Sequence, residues 1–60
     1  MKDKIKSICF KAQKGMNRNI VVNGIEHEFM SYMSVDLVIQ KLAREYELTN
    51  RDIKEIKEMW

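Results

Sequence analysis

Few side chains in this 60-residue sequence carry catalytic or metal-binding chemistry. His27, the only histidine, lies between Glu26 and Glu28, a combination that could suit a metal ion or acid–base chemistry. On a β-strand, however, successive side chains point to opposite faces, so both glutamates would point away from His27. We therefore expect His27 to be half-buried beside Ile20, without a role in catalysis or metal binding.

Cys9 is the only cysteine and the second candidate for chemistry. Lysines flank it in the sequence, but there is no second histidine or acidic set with which to build a nucleophilic site. One cysteine cannot form an intramolecular disulfide, and a zinc site needs several Cys or His ligands. We expect a buried structural thiol in a reduced, cytoplasmic protein that is not an enzyme and has no cofactor, metal or small-molecule substrate.

Hydrogen bonding to nucleic-acid bases is a third kind of chemistry, and it fits the residues around position 50. Asn50 and Arg51 are chemically apt, because Asn can pair bidentately with adenine and Arg with guanine. Residues 50–60, however, carry three positive and three negative charges, so they bring no net field to phosphates. Arg51 and Glu55 also have the i, i+4 spacing of an ion pair. A solvated, ion-paired helix face is therefore the alternative interpretation.

Two helices should position these residues. Thr49 and Asp52 have the spacing of a capping box, which predicts a helix over residues 50–60. Ser34 can cap an earlier helix over residues 35–46, whose apolar residues recur at helical spacing: Val35, Val38, Ile39, Leu42, Ala43 and Tyr46. Leu48 lies in the connection and should fill the angle between the two helices.

The connection and its flanks resemble the helix-turn-helix family of DNA-binding proteins over residues 39–58. Ala43 takes the place of the family's alanine four residues before the turn, and Thr49 that of the hydroxyl residue opening the second helix. Glu47 stands where glycine is usual, and a left-handed conformation there would cost about 1 kcal/mol. The family's apolar positions are held by Leu42, Tyr46, Leu48, Ile53 and Ile56. The resemblance implies that the second helix enters the major groove, with these residues facing DNA: Thr49, Asn50, Arg51 and Lys54.

Strands are predicted for the first half of the chain. Asn23-Gly24 between two apolar runs predicts a hairpin over residues 18–30 with a two-residue type I′ turn. Residues 4–12 fit both a helix and a strand, and the alternation of Ile8, Phe10 and Ala12 favours the strand. The predicted fold class is α+β, with a small antiparallel β-meander or hairpin packed against two C-terminal helices in one domain.

The charge is unevenly distributed along the chain. Residues 1–18 have six Lys or Arg residues against one aspartate, a formal charge of +5, and residues 19–60 have five against eight acidic residues, a charge of −3. Four lysines of the basic part are candidates for contacts with phosphates: Lys4, Lys6, Lys11 and Lys14. The alternative interpretation is that these lysines only keep a small domain in solution.

The sequence also offers an apolar surface for a protein partner. Met30, Tyr32, Met33 and Trp60 are of types favoured at interfaces, and we expect Met30, Met33 and Trp60 to be exposed. A 60-residue chain buries only about 60% of its unfolded surface, so its stability is marginal, and a homodimer is expected by elimination. No apolar run is long enough to span a membrane. The sequence predicts a small DNA-binding or transcription-regulatory protein. A protein-interaction module or small inhibitor is the alternative function.

Overall fold

A computed structural model describes all 60 residues of the chain. The elements, in chain order, are β1 (Asp3–Lys4), β2 (Ile8–Lys14), β3 (Asn17–Val22), β4 (Ile25–Met30), α1 (Val35–Glu45), β5 (Tyr46–Glu47) and α2 (Asn50–Met59). β2, β3 and β4 form an antiparallel meander with β3 in the centre, while β1 and β5 form a separate parallel pair. The α+β class predicted from the sequence is therefore confirmed. In the first segment the strand interpretation is correct from Ile8 onward, whereas residues 5–7 of the predicted segment 4–12 belong to no strand.

The β3–β4 hairpin has the predicted two-residue loop and register. Val22 lies opposite Ile25, and Ile20 lies opposite His27. Asn23 and Gly24 have φ angles of 52° and 81°, as a type I′ turn requires. Asn is one of the few residues with a side chain that tolerate this conformation, so the dipeptide itself determines where the chain reverses.

An irregularity in β2 changes which residues share a face. Phe10 lies opposite Ile20, but Ala12 lies opposite Asn19, because the register shifts between Phe10 and Ala12. Since Ile20 and Asn19 are neighbours in β3, their partners lie on opposite faces of the sheet. The expectation that Ile8, Phe10 and Ala12 line one face is therefore wrong from the bulge onward.

The core lies between one face of the meander and the two helices. Its seven buried apolar residues come from β3, β4, α1, β5 and α2: Ile20, Val22, Phe29, Val38, Leu42, Tyr46 and Ile56. Leu48 packs against this cluster from the connection between the helices, as predicted. Ser34 caps α1, since its hydroxyl accepts from the backbone N–H of Leu37 at 3.4 Å. Neither helix is long and apolar enough to cross a membrane.

The parallel pair of β1 and β5 was not predicted from the sequence. Asp3 pairs with Tyr46 and Lys4 with Glu47, so the first residues of the chain lie beside the connection between the helices. Tyr46 therefore lies just outside α1, contrary to the prediction of a helix through residue 46. Its backbone is extended (φ −125°, ψ 149°), although its N–H still donates to the carbonyl of Leu42.

Candidate nucleic-acid interface

An open cleft lies between the N-terminal segment and the first turn of α2. Its volume is about 270 Å³, and we call it the basic cleft. Its lining includes Lys4 and Lys6 from the N-terminal segment and Thr49 and Arg51 from the start of α2. The remaining lining residues are Ile5, Ser7, Ile8, Asp52 and Glu55. The structure thus brings together four of the residues that the sequence suggested for DNA contact.

The first turn of α2 is fixed by a complete capping box. The hydroxyl of Thr49 accepts from the backbone N–H of Asp52 at 3.2 Å, and the carboxylate of Asp52 accepts from the N–H of Thr49 at 2.9 Å. Asp52 is the only buried charged residue, and its carboxylate stabilises the N-terminus of α2. Asn50 and Arg51 follow the cap directly and are both exposed.

The cations around the basic cleft differ in how they are paired. Arg51 is 3.3 Å from Glu55, which confirms that the i, i+4 pair forms, although the Arg51 side chain stays 87% exposed. The one other ion pair of a lysine or arginine is Lys11–Glu26, so Lys4, Lys6 and Lys54 have no acidic partner. Lys54 is exposed on α2 one turn beyond Arg51, outside the cleft. The uncompensated positive charge in the cleft therefore comes from β1 and the residues after it.

Lys11 and Lys14 are not brought to the basic cleft. The ammonium of Lys11 is 2.8 Å from a carboxylate oxygen of Glu26, which points to the face of the sheet opposite the core. This hydrogen bond and the Lys11 charge lower the pKa of Glu26 below its usual value. Lys14 ends β2 at the strand's far end from Ile8, roughly 20 Å away at the usual strand rise.

The residues suggested for a protein partner are mostly part of the fold. Tyr32 is 71% exposed, but Met30, Met33 and Trp60 are half-buried, so the expectation of exposure is wrong for these three. The indole N–H of Trp60 donates to the carbonyl of Met33 at 2.9 Å, and the ring contacts Phe29 edge-to-face. The Trp60 ring is therefore packed within the fold rather than exposed to a partner.

The two residues first considered for catalysis have different surroundings. His27 is half-buried opposite Ile20 as predicted, and its Nε2 lies 2.7 Å from the hydroxyl of Tyr46. Cys9 is exposed, so the prediction of a buried thiol is wrong. Its side chain lies on the outer face of β2, because Cys9 pairs with Val21 rather than with a core residue.

The connection between the helices has its own backbone form. Glu47, at the position where the helix-turn-helix family has glycine, is not left-handed, because Asn23 is the only non-glycine residue with a positive φ. It is extended and pairs with Lys4 in the β1–β5 pair. Glu47 therefore does not pay the conformational free energy of a left-handed backbone. The two helices are joined by the short strand β5.

The structure gives Asn23 a second role, which was not predicted from the sequence. Its side chain makes three hydrogen bonds with the backbone of residues 4–7, the segment that carries the cleft lysines. The Asn-Gly pair explained Asn23 fully as a turn residue, so no sequence signal pointed to a second role.

Comparisons of the chain with protein-family models, curated proteins and solved structures gave no significant match.

Proposed function

We propose that this protein binds DNA at the basic cleft and acts as a small DNA-binding or transcription-regulatory protein. The observation that supports this function is that Lys4 and Lys6 lie in the same cleft as Thr49 and Arg51. α2 alone brings no net charge to phosphates, and the two lysines supply it. Lysines that contact phosphates provide affinity, while side chains at the start of a helix can reach base edges.

In this proposal the residues divide by role. Lys4 and Lys6 contact phosphates, and Asn50, Arg51 and Lys54 lie on the exposed first turns of α2 toward the bases. Lys11 does not take part, because its charge is already compensated by Glu26. We further propose a cytoplasmic homodimer, in which two copies present two α2 helices to neighbouring half-sites.

The alternative function, a protein-interaction module, has less support from side-chain exposure. Of its four residues only Tyr32 is strongly exposed, while Trp60 is held by Met33 and Phe29. Truncating Trp60 would therefore disturb the fold before it disturbed a partner. The placement of the lysines favours DNA as the ligand.

The test is a fluorescence-anisotropy titration of duplex DNA at several salt concentrations, with Lys11→Ala as the matched control. Lys4→Ala and Lys6→Ala should weaken binding to all sequences and each reduce the salt slope by about 0.9. Lys11→Ala should leave the slope unchanged. Binding that is absent in the wild type, or equally weakened by all three substitutions, would contradict the proposal.

A further inference from the structure

The side chain of Asn23 connects the β3–β4 turn to the segment that carries the cleft lysines. Its Oδ1 atom accepts from the backbone N–H groups of Lys6 at 2.7 Å and Ser7 at 3.1 Å. Its Nδ2 atom donates to the carbonyl of Lys4 at 2.9 Å. The backbone N–H of Asn23 adds a fourth bond, to the carbonyl of Ser7 at 2.9 Å. We call residues 4–7 the N-terminal arm. Asn23, a single turn residue, thus forms hydrogen bonds with three of its four residues.

All of these bonds except the one to Lys4 reach residues that belong to no strand. β1 ends at Lys4 and β2 begins at Ile8, so residues 5–7 lie between the two sheets. Ile5 packs against the core, while Lys4 and Lys6 are exposed. Lys4 is also held by its pairing with Glu47, but the backbone of residues 5–7 has no strand partner and would otherwise be free to move, and Lys6 with it.

We propose that Asn23 is a positioning residue for DNA binding, which orders the N-terminal arm before DNA arrives. The inference rests on the proposed function, in which Lys4 and Lys6 contact phosphates. An arm ordered in advance loses less conformational entropy when it binds, so affinity rises without any additional contact. Asn23 itself needs no contact with DNA for this effect.

The variant that tests the inference is Asn23→Gly. Glycine accepts the φ of 52° at this position, so the type I′ turn is kept while all three side-chain bonds are lost. NMR relaxation should show order parameters for residues 5–7 falling from about 0.85 to below about 0.6. DNA affinity should fall roughly tenfold with an unchanged salt slope, because the same lysines still meet phosphates.

Two variants control for effects other than ordering. Gly24→Ala strains the same turn, at a φ of 81°, and leaves the Asn23 side chain intact. It should lower Tm by roughly 4–8 °C but keep the arm ordered and the DNA affinity unchanged well below Tm. Asn23→Asp retains the acceptor for Lys6 and Ser7, so it should restore most of the order of residues 5–7.

The outcomes separate the inference from the proposed function. An arm that is already flexible in the wild type, or that stays rigid in Asn23→Gly, would overturn the ordering role whatever DNA does. An affinity loss accompanied by a reduced salt slope would overturn it as well, because the lysine contacts themselves would then be lost. Failure of the wild type to bind DNA would instead overturn the proposed function, while the relaxation data would still decide whether Asn23 orders the arm.

Discussion

The Nε2 atom of His27 lies 2.7 Å from the hydroxyl oxygen of Tyr46, which joins β4 to the residue that follows α1. The two rings meet edge-to-face with their centroids 5.5 Å apart. Tyr46 is buried, so its hydroxyl depends on this hydrogen bond rather than on water. The contact therefore links the sheet, the helix end and the β1–β5 pair at one point.

The first prediction concerns alkaline pH. Burial raises the pKa of Tyr46 above its usual value, and the charges of Glu45 and Asp3 raise it further. Because the folded state holds this proton more tightly, its contribution to stability is complete below pH 10 and is lost as pH rises through the folded pKa. Tyr46→Phe should cost about 1 kcal/mol at neutral pH, and this deficit should shrink above pH 10.

Urea unfolding followed by circular dichroism between pH 8 and 11 measures this difference. Tyr32→Phe is the matched control, because Tyr32 is exposed and makes no side-chain hydrogen bond within the chain. Parallel pH profiles for the wild type and Tyr46→Phe would refute the prediction.

The second prediction concerns the capping box of α2. Thr49→Ala removes the acceptor for the Asp52 N–H and should lower the free energy of unfolding by about 1 kcal/mol. Ser34→Ala at the start of α1 should cost less, because that hydrogen bond is longer, at 3.4 Å. Chemical denaturation of the two variants gives the comparison, and an equal or reversed order would contradict it.

The third prediction assigns Trp60 to stability. Trp60→Ala removes the ring contact with Phe29 and the hydrogen bond to Met33. It also removes the contact of the ring with the guanidinium of Arg18, which lies 5.0 Å from the ring centroid. We expect a loss of about 2–3 kcal/mol, less than for a fully buried tryptophan. Tyr32→Ala should change the free energy of unfolding by less than about 0.5 kcal/mol. A stable Trp60→Ala variant would return this residue to the list of partner-binding candidates.

The fourth prediction, which depends on DNA binding, concerns Arg51 and Glu55. Arg51→Ala should reduce discrimination at one base position by about 1–3 kcal/mol in binding assays with substituted duplexes. Glu55→Gln releases Arg51 from its ion pair and should tighten binding by up to about fivefold. Lys57→Ala, on the last turn of α2, serves as the control for a general charge effect. A base preference that survives Arg51→Ala would remove this residue from recognition.

The local elements could be predicted because each has its own chemical signal. Asn23-Gly24 determines the turn and the register of β3 and β4, and Thr49 with Asp52 determines where α2 begins. These signals act within a few residues, so they need no knowledge of the rest of the fold.

Contacts between distant segments could not be predicted in the same way. Asp3 and Lys4 give no strand signal, and their pairing with β5 depends on where α1 ends. The hydrogen bonds of Asn23 to Lys6 and Lys4 likewise join segments that are far apart in the chain. Trp60 was expected to be exposed, but its ring contacts Phe29 and its indole N–H donates to the carbonyl of Met33. The basic cleft results from the same long-range arrangement.

The parallel pair of β1 and β5 has a consequence for synthesis on the ribosome. Asp3 meets its partner Tyr46 only after roughly forty further residues have been made. The meander can close much earlier, since β2, β3 and β4 are consecutive in the chain. Residues 3–4 therefore stay unpaired while the meander closes, and the lysine-bearing surface forms only after β5 has been made.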